Sequence, residues 1–221
     1  WIEAATKAGE MQGLAGAYTA LGDLRRLSGE SEGAAEAYAK AMAVAEKLGP
    51  HLLARAALGR GLAALSLKRG EEAREMLSLA AEVLRQEDPS GLLPEVLIAT
   101  GEARLQAGEL DEAAGLVRRL VATEPQLERP VRARFHRLAF LVGLAQWEFA
   151  TAQRHYRAAG RFLEAEGDEA GLAELALRYA EAAATASRDA AARVRAEAPH
   201  LFKEAQDRFA KGGLPKEAQR A

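Results

Sequence analysis

Cysteine and asparagine are both missing from these 221 residues. Without cysteine there can be no disulfide, no thiolate zinc site and no cysteine nucleophile. Strand formers are scarce, with 8 Val and 2 Ile, and aromatics are few at 2 Trp, 4 Tyr and 6 Phe. That shortage argues against a sheet. Charge of one sign is lacking too: the formal net charge is −2. No global basic field therefore calls for nucleic acid or for a membrane surface. No apolar run approaches the roughly 18 residues of a spanning helix. No secretory signal is seen, although the chain begins at Trp1 and not Met, which leaves room for one upstream; the cytoplasm is the default expectation.

What is abundant is alanine, 52 residues, with Leu, Glu and Arg supplying most of the rest. These are strong helix formers, and the expected fold class is all-α. Arginine (23) far outnumbers lysine (7), and thermolabile residues are few, as in a thermophile or a GC-rich genome.

The segment GELDEAAGLVRRLVATEP, residues 108–125, belongs to an internal repeat. A small residue, three others, a large residue, two others and a small or apolar residue recur along the chain. The sets are Ala34–Tyr38–Ala41, Ala73–Leu77–Ala80, Ala113–Val117–Leu120, Ala152–Tyr156–Ala159 and Ala198–Phe202–Ala205. Their central members are 39, 40, 39 and 46 residues apart. On a helix this pattern lies on one face, where small residues admit a close neighbour and the large one fills the gap. A second helical pattern precedes each set and ends at Gly29, Gly70 or Gly108 in the first three copies. Glycine there suits a left-handed helix cap, and the acidic residues that follow suit a helix N-terminus. The unit is helix–turn–helix. The second copy looks short between Leu67 and Ala73, and the fourth has Trp147-Glu148-Phe149 in place of a glycine turn.

These residues resemble the tetratricopeptide repeat. Leu21–Gly22, Thr100–Gly101, the five small-large-small sets and Pro125 carry the likeness, over nearly the whole chain. The period is near 40 and not 34, which resembles the long units of the large MalT/LuxR-type bacterial regulators. The resemblance implies a right-handed α-solenoid of about five antiparallel helix pairs in one domain. The units fall roughly at 10–48, 51–86, 93–123, 130–166 and 169–211. Partial units at Trp1–Ala8 and after Gly213 suggest a piece of a larger protein.

Other motifs have plain explanations. Gly59–Ala64, GRGLAA, fits a dinucleotide fingerprint, but no strand precedes it and close helix packing explains its glycines. His136 and His155 can face each other across the fourth hairpin, yet no carboxylate is placed to complete a metal site. Carboxylates stand at turns and helix ends, so no acid–base pair is indicated. No catalytic residue, metal or cofactor is expected. One span stands out: Arg129, Arg132, Arg134, Arg137, Arg154, Arg157 and Arg161 surround a single acid, Glu148. Surface arginines paired with Glu164, Glu166 and neighbouring units explain such a run; a patch for an acidic or phosphorylated partner is the functional alternative. Most of its interleaved aromatics, Phe135, Phe140, Trp147, Phe149, Tyr156 and Phe162, are spaced as core residues, and direct nucleic-acid binding is not expected.

In the family resembled, polar residues of the first helices line an inner groove that takes a peptide or partner helix. By that resemblance the groove candidates are Thr19, Asp23 and Arg26 in the first unit, Glu102 in the third, and Arg134 and Arg137 in the fourth. The expected function is a non-catalytic protein- or peptide-binding scaffold, the interaction or ligand-sensing module of a multidomain transcriptional or signalling regulator. A free-standing adaptor for assembly of a complex is the alternative, and an enzyme is remote. A protein or peptide partner, an acidic one included, is expected.

Overall fold

The computed structural model describes residues 2, 10–85, 88, 91–186 and 192–218. Most of the partial unit at Trp1–Ala8 lies outside the described residues. Every regular element among them is helical, with no strand among the described residues. No described helix is long and apolar enough to cross a membrane. The chain divides into two compact units, 1–116 and 117–221.

The first unit holds α1 (Met11–Leu27), α2 (Ser31–Ala45), α3 (Pro50–Ser66), α4 (Gly70–Leu84), α5 (Leu93–Gln106) and most of α6 (Leu110–Val121). Pro50 and Pro94 stand in the first turns of α3 and α5, where a missing N–H costs nothing. Asp88 accepts the N–H groups of Leu92 and Leu93 at 2.9 and 2.8 Å, which satisfies donors at the start of α5. Packing runs between successive helices from α1 to α5, and also between α1 and α3 and between α3 and α5. Thus α1, α3 and α5 share one side.

Small residues set the helix spacing. Tyr38 of α2 is fully buried, wedged between Gly22 of α1 and Gly59 of α3. A Cβ at Gly22 would stand 2.6 Å from the Tyr38 ring, and one at Gly59 would overlap it. Gly61 does the same for Leu77 of α4, at 2.8 Å. The fingerprint-like run Gly59–Ala64 is therefore interior helix, and its glycines admit neighbours.

The second unit contains the end of α6, a 3₁₀ turn (Glu124–Gln126), α7 (Arg129–Ala145), α8 (Phe149–Glu166), α9 (Glu169–Thr185), α10 (Ala192–Lys211) and a last single turn, α11 (Pro215–Ala218). Packing joins α7 to α8, α8 to α9, α9 to α10, α10 to α11, and α7 to α9. Phe140, Tyr156 and Tyr179 form an aromatic cluster with ring centroids 5.3 to 5.9 Å apart. The small residues of the recurring sets are buried in both units, but Val117, Tyr156 and Phe202 are only half-buried, unlike Tyr38 and Leu77.

The hairpin turns follow one design. The N–H of Gly29 donates to Arg26 O, and that of Glu30 to Arg25 O. The same pair of bonds recurs at Lys68 and Arg69, at Gly108 and Glu109, and at Trp147 and Glu148. Residues 29, 68, 108 and 147 all have φ between 58° and 82°, and they are 39, 40 and 39 residues apart. This corrects two expectations. The second copy has lost nothing, because Lys68 takes the left-handed position and Gly70 is already in α4. Trp147 is the turn residue of the fourth copy, 53% exposed, and not a core residue.

Candidate groove and basic surface

In the first unit a cavity of about 240 Å³ opens where α1, α3 and α5 meet. Leu27, Leu58 and Leu62 supply its apolar wall, and Asp23, Arg26, Arg55 and Glu95 its charges. Leu27 is 76% exposed, and Leu24 beside it 65%. The two lie three residues apart, on one face at the end of α1.

Two expected groove residues line this cavity. Asp23 accepts a hydrogen bond from the Tyr38 hydroxyl at 2.7 Å and stands 3.7 Å from the Arg55 guanidinium. Burial, and then Asp23, push the Tyr38 phenol well above its ordinary range, so it stays a neutral donor. Arg26 comes close enough to the phenol to oppose that rise, and its Nε is buried without a hydrogen-bond partner. Asp23 thus both completes the burial of Tyr38 and presents charge to the cavity.

The other candidates are placed differently. Thr19 Oγ1 donates to Ala15 O at 2.9 Å, inside its own helix. Glu102 is half-buried on α5 and does not line the cavity. Arg134 and Arg137 belong to α7 in the second unit. Arg134 is half-buried and engaged with neighbours. Arg137 is exposed and stands 3.6 Å from Glu174 of α9, a pairing with a neighbouring helix of the kind that explains such a run.

Sequence reasoning missed Arg55, Leu58, Leu62 and Glu95. The signal was the turn register, hidden because Lys68 stands in for glycine. Counting from residues 29, 68 and 108, Arg55 and Glu95 occupy equivalent positions, and so do Asp23, Leu62 and Glu102.

The seven-arginine span divides in two. On α7, Arg132 donates to Pro125 O and Leu127 O at 3.0 and 2.9 Å and lies 3.4 Å from Glu124, which ties down the chain entering the helix. On α8, among the described residues, Arg154 reaches Thr151 Oγ1, at 3.4 Å, and Arg161 its own helix backbone at Arg157 O, 3.3 Å.

His136 and His155 do face each other, Nδ1 to Nδ1 at 3.0 Å. Glu124 lies 3.5 Å from His136 Nε2, on the far side of that ring. The consistent arrangement has His136 protonated at Nε2 and His155 donating from Nδ1. Burial lowers both pKa values, that of His155 to about 4. The two rings therefore form a neutral hydrogen-bonded pair, with His136 stacked on Phe162 and His155 edge-on to Phe135; among the described residues no three groups converge as metal ligands.

No protein-family model and no curated protein matches this sequence.

Proposed function

We propose that the chain is a non-catalytic scaffold that binds a protein or peptide. It is a solenoid of tetratricopeptide type, about five helix pairs wound right-handed. Its place is as the interaction module of a multidomain bacterial regulator. One observation carries the reading: three successive first helices, α1, α3 and α5, contribute to a single cavity with an apolar wall and fixed charges of both signs. A peptide side chain fits that chemistry, with its backbone running past Asp23 and Arg55.

The test is selection from a random dodecapeptide library, followed by fluorescence anisotropy with the selected peptides. Leu27→Glu and Arg55→Glu change exposed side chains and should leave the circular dichroism melt unaltered. Each should weaken the selected peptides at least tenfold. Peptides that bind the two variants as they bind the parent, or a library that yields no binder, would overturn the proposal.

A further inference from the structure

The α8 arginines have a geometry of their own. Arg154, Arg157 and Arg161 follow the i, i+3, i+7 spacing of one helix face, and all three are exposed. Among the described residues none of them lies within ion-pair distance of a carboxylate. Their neighbour on α10, Arg208, is the opposite case, with Glu204 at 3.0 Å, Glu169 at 3.2 Å and Glu164 at 3.5 Å. The local acids are therefore spent on Arg208 while three cations repel one another along α8.

Beside this stripe lies a cavity of about 370 Å³. Its near wall is Tyr156, Arg157, Gly160 and Arg161 of α8, and its floor is Leu172 and Leu175 of α9. Gly160 has no side chain to fill it; a Cβ there would meet only Leu172, at 3.8 Å. Glu164 of α8 and Glu204 and Arg208 of α10 complete the lining.

We propose that the α8 stripe and this cavity bind an extended acidic segment of a partner protein, with carboxylates on the arginines and one aliphatic side chain above Gly160. The spacing fits. Residues four apart on a helix rise about 6 Å along the axis, and alternate side chains of an extended chain are about 7 Å apart. Arg157 and Arg161 can then each take one carboxylate of a Glu-x-Glu sequence, in the bidentate geometry guanidinium favours. A nucleic acid fits worse. Tyr156 is half-buried and cannot offer its ring for base stacking, which single-stranded nucleic-acid sites rely on. The site extends the scaffold reading to the second unit and does not depend on the cavity between α1, α3 and α5.

The experiment uses the whole chain and fluorescein-labelled Glu-Ser-Glu-Ser-Leu-Ser, with the Gln-for-Glu peptide and a ten-residue oligothymidylate beside it. The acidic peptide should bind at least tenfold more tightly than its Gln counterpart, and more weakly as salt shortens the Debye length below about 10 Å. Arg157→Glu with Arg161→Glu should remove at least tenfold of that affinity at an unchanged melting temperature. The neutral pair Arg157→Gln with Arg161→Gln should lose about threefold and guards against misfolding of the reversal. Gly160→Phe should weaken binding severalfold while Gly160→Ala keeps it, and Arg55→Glu in the other unit should have no effect. Equal binding of the two peptides, retained affinity in both arginine variants, loss on Arg55→Glu alone, or tighter binding of oligothymidylate would each overturn the proposal.

Discussion

Glycine has two opposite meanings in this chain, and the difference is one of a few ångströms. At Gly16, in the first half of α1, nothing among the described residues lies within 4 Å of a Cβ. Gly16→Ala should therefore stabilise the fold by about 0.5–1 kcal/mol, the cost of glycine in an exposed helix. At Gly59 the Tyr38 ring already fills the space, so Gly59→Ala should destabilise by about 1–3 kcal/mol, the usual cost of overpacking. Lys68 is the mirror case, a side chain where glycine belongs, at φ 58°. Lys68→Gly should add about 0.5–1 kcal/mol, because the left-handed region strains any residue with a Cβ. Chemical denaturation of the three variants checks all three signs, and a gain on Gly59→Ala would refute the account of Tyr38.

At the scale of elements, the all-helical character and the helix–turn–helix alternation were legible in the sequence because alanine-rich amphipathic runs and turn glycines agree. The turn of the second hairpin was not, since Lys68 carries no turn signal and Gly70, two residues on, offers a false one. The cavity between α1, α3 and α5 was half legible. Asp23 and Arg26 follow from the first copy, whereas Arg55 and Glu95 need the register that Lys68 obscures. Pairing of Arg137 with Glu174 joins α7 to α9, and no local pattern announces a partner 37 residues away. The hairpin of α7 and α8 makes a further claim. His136 and His155 are held neutral by burial, with Arg132, Arg154 and Arg161 also opposing their charge and Glu124 favouring it. A pKa lowered by folding means the unfolded chain takes up the proton first. The stabilisation is thus whole above pH 6.5 and is lost as pH falls toward about 4. Between pH 7 and 5, discounting for partial exposure, the loss should be about 1–2 kcal/mol. Urea melts at the two pH values should show it, and His155→Phe should flatten the difference. An equal slope in the variant would place the pH dependence elsewhere.

At the scale of the molecule, packing among the described helices links neighbours in sequence. Such a chain is held together by terms within each hairpin and between adjacent ones, so damage should spread by distance along the array and not all at once. Leu77 of α4 tests this. It is fully buried and lies over Gly61 of α3, which has no side chain to move into a void. Leu77→Ala should cost about 2.7–5 kcal/mol, since the site has little means of collapsing. Hydrogen exchange should record the loss most strongly in α3 and α4, less in α2 and α5, and least in α1. The gradient has a mechanical reason. The Tyr38 wedge between Gly22 and Gly59 keeps α1 and α2 anchored to each other through the Asp23 hydrogen bond even when the α3–α4 contact weakens. An equal loss of protection in all five helices would mean that the unit unfolds as one cooperative body. Stability would then not be additive over its hairpins, and the nearest-neighbour description would fail for it.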